Sequence, residues 1–113
     1  MNIQASNQNS LPSIENINPV SEADQNCLRA IEAVLKQHNK LDRFGVTLLH
    51  KHFPLQDDEM LVETCDPENR TLTVSTVKTN NINPDHYIET SWRLDTGEAL
   101  QRCNIEVYHI AKE

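Results

Sequence analysis

The chain has 113 residues, enough for one domain, and a formal charge of -7 from 17 acidic and 10 basic side chains. That balance argues against DNA or RNA as a ligand, because neutralising phosphates needs clustered Lys and Arg, and it favours a basic protein partner. A mean hydropathy of -0.60 and apolar runs of only a few residues describe a soluble chain, with nothing near the ~20 residues that a membrane crossing needs.

Residues 1–20, MNIQASNQNSLPSIENINPV, are rich in Asn, Ser, Gln and Pro. Leu11, Ile14, Ile17 and Val20 form no helical or strand stripe there, so this stretch is expected to be a flexible arm ahead of a single domain over 21–113. It lacks the basic and apolar regions of a secretory signal, which predicts a cytoplasmic protein. Cys27, Cys65 and Cys103 are odd in number and far apart. They suit three buried thiols better than a disulfide framework or a metal clip.

Ser21 and Asp24 have the spacing of a capping box, and Glu22 and Asp24 place negative charge where a helix dipole favours it. Cys27, Leu28, Ile31, Val34, Leu35 and His38 then recur every three or four residues, with Glu32 and Lys36 paired on the wet side. The spacing predicts a helix ending near Asn39. Beyond it the period becomes alternating, and five strands are expected at about 43–53, 59–66, 70–78, 86–94 and 99–110, separated by turn-forming stretches.

Apolar alternation also chooses a register. Closing the first hairpin with 54–58 sets His52 opposite Met60 and His50 opposite Val62. Continuing the same face sets Thr64 opposite Leu72 and Val62 opposite Val74, and the last hairpin pairs Leu94 with Ala99 and Ile88 with Ile105. The resulting expectation is an α+β fold, an N-terminal helix packed on one face of a curved five-stranded antiparallel meander.

In such a meander His50, His52, His86 and His109 fall at one rim. His50 and His52, about 7 Å apart along a strand face, supply two donors to a transition metal such as zinc. His109 reaches them only if the sheet curls strongly, since each strand interval adds ~4.8 Å. Met60 and Trp92 would line a pocket beside them if the helix leaves part of the face open. No phosphate-binding glycine loop or nucleophile motif is present, and a catalytic set does not emerge. The leading expectation is a small acidic protein-binding or regulatory module without a cofactor. A histidine-lined metal or small-molecule pocket enzyme is the second reading, and a homodimer or larger homo-oligomer joined through a sheet edge is the third.

Overall fold

The computed structural model describes residues 7–108. Helix α1, Glu22–Gln37, starts where the capping box is expected. Ser21 Oγ accepts from the Asp24 N–H at 3.2 Å, and Asp24 Oδ2 accepts from the Ser21 N–H at 2.8 Å. Its other end is closed by a left-handed residue, Asn39, at φ 58. The N–H groups of Asn39 and Lys40 return to the carbonyls of Lys36 and Leu35 at 3.1 and 2.8 Å, the paired bonds of a Schellman motif. No residue of α1 is buried: Leu28, Ile31 and Leu35 are half-buried, while Cys27 and Val34 are exposed. No described helix is long and apolar enough to cross a membrane.

The sheet has four strands, β1 Glu59–Asp66, β2 Thr71–Lys78, β3 Tyr87–Trp92 and β4 Ala99–Asn104, in the order β2-β1-β4-β3. Two antiparallel hairpins lie side by side, joined by a parallel pairing of β1 with β4. The chain is therefore α+β, but the expected five-stranded antiparallel meander is corrected to a four-stranded mixed sheet. The stretch 43–53 is not a strand. Its alternation suits one, yet β1 already has β2 on one side and β4 on the other, so no edge of β1 is left for it.

Both hairpin registers also differ from expectation, and the turns explain why. The β1–β2 turn contains Pro67 to Arg70, with Arg70 left-handed at φ 57 and Asp66 Oδ1 accepting from the Asn69 N–H at 3.2 Å. This loop is one residue longer than expected, so Val62 faces Ser75 and Thr64 faces Thr73. A one-residue slip reverses faces: Leu72, Val74 and Thr76 lie on the side of Leu61 and Cys65, not of Met60 and Val62. In the second hairpin Gly97 at φ 75 lets its N–H return to Arg93 O at 2.7 Å. Ile88 there faces Cys103 instead of Ile105, a two-residue shift that preserves the face, and Trp92 faces Ala99 across register shifts typical of bulges.

Between the hairpins, 79–86 carries the chain from the Glu59 end of the sheet to its Asn104 end. It is pinned by Thr79 N–H to Asp58 O and by Ile105 N–H to His86 O, both 2.8 Å. Among the described residues the buried apolar ones are Leu11, Leu55, Met60 and Val62, the last 1% exposed. Leu11 belongs to the stretch expected as an arm, and its surroundings are ordered by bonds to distant residues. The Asn9 amide donates to Leu55 O at 2.8 Å and accepts from the Leu55 N–H at 2.7 Å, imitating one rung of a strand pair. Ser13 and Lys51 form a parallel bridge through Ile14 N–H to Lys51 O and Lys51 N–H to Pro12 O, both 2.9 Å. Arg93 also donates to Ser10 Oγ.

Candidate functional site

His50 and His52 do come together. Their rings lie edge to face with centroids 5.0 Å apart, on an extended segment and not on a strand. His50 is half-buried and His52 exposed. Nδ1 of His50 is 2.6 Å from Leu48 O; a carbonyl can only accept, so Nδ1 is the donor of this bond. Both rings line a cleft of ≈ 190 Å³ with Leu11, Leu61, Val74 and Gln101. Its walls come from three separate parts of the chain: the N-terminal segment, the stretch 47–52 and the sheet face that carries Leu61 and Val74.

The other predicted site residues are elsewhere. His86 lies just before β3, at the end of a 3-10 turn, with Nδ1 3.8 Å from Glu106 Oε2, beside the Asn104 end of β4. His109 lies outside the described residues. Met60 points from β1 to the face opposite Leu61 and lines a second cleft of ≈ 150 Å³ with Leu55, Glu59 and Arg102. Trp92 borders neither cleft: its indole N–H donates to Glu89 Oε1 at 3.3 Å, and its ring meets Phe44 edge to face at 6.4 Å. Phe44 in turn carries the Arg43 guanidinium 5.8 Å from its centroid. Among the described residues no three of His, Cys, Asp and Glu gather as a metal-holding set. His50 and His52 thus offer two donors where a closed zinc site takes four.

The thiols do not share one environment, contrary to expectation. Cys27 is exposed on α1, whereas Cys65 and Cys103 are half-buried, and all three are free. Glu63 pairs with Cys103 across β1 and β4, and Cys65 lies two residues further along the same face. Burial first, then the neighbouring Glu63 and Cys65, pushes the Cys103 thiol above its ordinary range. Tyr108 is likewise raised, chiefly by its hydrogen bond to Cys65. A thiol held protonated is a poor nucleophile, which makes Cys103 less reactive than an ordinary cysteine.

Sequence reasoning passed over the Phe44–Trp92–Glu89 cluster and the Asn9 clamp. Alternation at Phe44, Val46 and Leu48 was the available signal for the first. None existed for the second, because an amide side chain bonding a distant backbone leaves no periodic trace. No protein-family model, curated protein or solved structure matches the chain.

Proposed function

We propose that this protein is a protein-binding module that presents α1 to a partner. The observation that carries the reading is the state of the helix: sixteen residues, fixed at both ends by their own caps, with an apolar stripe of which no member is buried. Helices of this kind bind by laying anchors at three- and four-residue spacing into a groove, and here Leu28, Ile31 and Leu35 are those anchors, flanked by Cys27 and Val34. The net charge of -7 favours a groove with a basic rim, so binding weakens as salt rises.

A photo-crosslinker attached at Cys27, the exposed thiol, tests this in extract of the source cells. A discrete adduct is expected that is lost in Ile31→Glu and reduced by salt, while circular dichroism shows the helix intact. No adduct, or one that Ile31→Glu leaves unchanged, removes the reading.

The enzyme reading rests on the His50–His52 pair in the 190 Å³ cleft. Elemental analysis of protein purified without a tag separates it from the first. A stoichiometric transition metal that disappears in the His50→Ala, His52→Ala double variant would favour the enzyme; metal-free protein would leave only a metal-independent pocket.

A further inference from the structure

The two outer strands differ in how their free edges are guarded. β3 is six residues long and shifts register twice against β4, and its Glu89 is tied to both Trp92 and Arg102. Shortness, bulges and charge are the devices that keep an edge strand from recruiting another. β2 has none of these protections until its last residue. It runs eight residues, TLTVSTVK, in unbroken register with β1, without Pro and without charge before Lys78. Thr71 to Thr76 are all exposed, Leu72 at 64% and Val74 at 49%.

Backbone phase decides what can pair with this edge. The bond from Thr79 N–H to Asp58 O makes 58/79, 60/77, 62/75 and 64/73 the mutually bonded pairs in the β1–β2 register. The N–H and C=O groups of Leu72, Val74 and Thr76 therefore point away from β1, and their side chains share the face of Leu61 and Cys65. Two antiparallel copies of β2 must join outward residue to outward residue. That face then continues from one copy to the other, bringing the exposed aliphatics together.

We propose that β2 pairs antiparallel with β2 of a second copy of this chain, Leu72 lying opposite Val74 of that copy, to give a two-fold symmetric continuous sheet. Charge favours a second copy as occupant and disfavours the registers that slide toward Lys78. From Asn69 to Pro84 the sequence has no Asp or Glu, so two copies of a chain with net charge -7 meet here without acid facing acid. Sliding the pairing by one phase-allowed step sets Arg70 against Lys78 of the second copy, and a second step sets Leu72 against that Lys78. The proposed register instead brings the Glu68 end of the turn toward it. Each copy adds the same surface, the condition for a closed dimer and not a fibre. An edge contact of this length falls short of the roughly 1,600 Å² of a standard interface, so association is weak and concentration-dependent.

Sedimentation equilibrium of the full chain from about 1 µM to about 500 µM tests this. The mass is expected to rise from 12.9 kDa toward twice that value. Val74→Lys stays monomeric at the highest concentration, whereas Ile88→Lys on the β3 edge leaves the rise unchanged. In the unsubstituted protein, exchange of the Leu72, Val74 and Thr76 amides slows with concentration while that of Thr73 and Ser75 does not. A monomer mass throughout, or a dimer without that alternating protection, overturns the proposal. Because α1 takes no part in the contact, the outcome is independent of the helix-in-groove reading.

Discussion

Helix α1 and the segment from Gln8 to Ile17 are neighbours in the chain and are held in opposite ways. Every bond that defines the ends of α1 closes within a few residues, from Ser21 to Asp24 and from Asn39 and Lys40 back to Lys36 and Leu35. The segment before it keeps only two short 3-10 turns of its own. Its fixing partners, Lys51, Leu55 and Arg93, are 42, 46 and 83 residues away from Asn9 and Ser10, and its Leu11 is buried. Local closure lets α1 fix both of its ends without help from the sheet. Distant closure makes the segment part of the same cooperative unit as 51–55 and the sheet.

The largest test of that division is Val62→Asp. Val62 is 1% exposed on a central strand, and a carboxylate there is cut off from water while Arg102, its neighbour on β4, is already paired with Glu89 at 3.3 Å. The cost rivals the ~5–15 kcal/mol that holds a domain together. The cooperative urea transition is expected to vanish together with the docking of Leu11; a transition that survives nearly unshifted would place the folding energy elsewhere. Asn9→Ala comes next, at about 1–3 kcal/mol, because it removes two bonds and leaves both backbone groups of Leu55 unmatched. Exchange at Leu55, Lys51 and Ile14 should quicken while α1 amides keep their rates. Equal quickening in α1 would mean that the two regions are one unit. Ser21→Ala is expected to cost about 1 kcal/mol, seen as faster exchange at the Asp24 amide with the sheet undisturbed.

The same division explains what could be seen in advance. Caps, spacing and the change of period revealed α1 and the approximate positions of β1 to β4, because each of those signals is local. Pairing is not local. The alternation over 43–53 records which side chains lie in or out of an extended chain, but it carries no information that β1 would be enclosed by β2 and β4. Register failed at the turns, where Arg70 at φ 57 and Gly97 at φ 75 decide loop length by a backbone state that residue type only biases. At the candidate site the His50–His52 contact followed from two-residue spacing and survived the loss of the strand. His86 depended on the meander, and the structure places it beside Glu106 instead.

The smallest expected effect separates the two kinds of closure by pH. Hydrogen bonds from Ser21 lower the carboxyl of Asp24 at the start of α1, and hydrogen bonds from Asn69 lower that of Asp66 at the β1–β2 turn. A carboxyl lowered in the folded state binds fewer protons there than in the unfolded chain. Its contribution is therefore complete above the unfolded value near ~4 and is lost as pH falls through the lower folded value. Both groups are fully exposed, so the urea midpoint should decline only slightly over that window. Nuclear magnetic resonance titration reads each site directly. Ser21→Ala, which removes the hydroxyl but keeps the backbone N–H, is expected to raise Asp24 part of the way toward an ordinary aspartate titration without moving Asp66, and Asn69→Ala, which keeps the backbone donors of the turn, to raise Asp66 part of the way without moving Asp24. If Ser21→Ala moved both, the cap of α1 would be coupled to the sheet, and the helix could not serve as a separately held element offered to a partner.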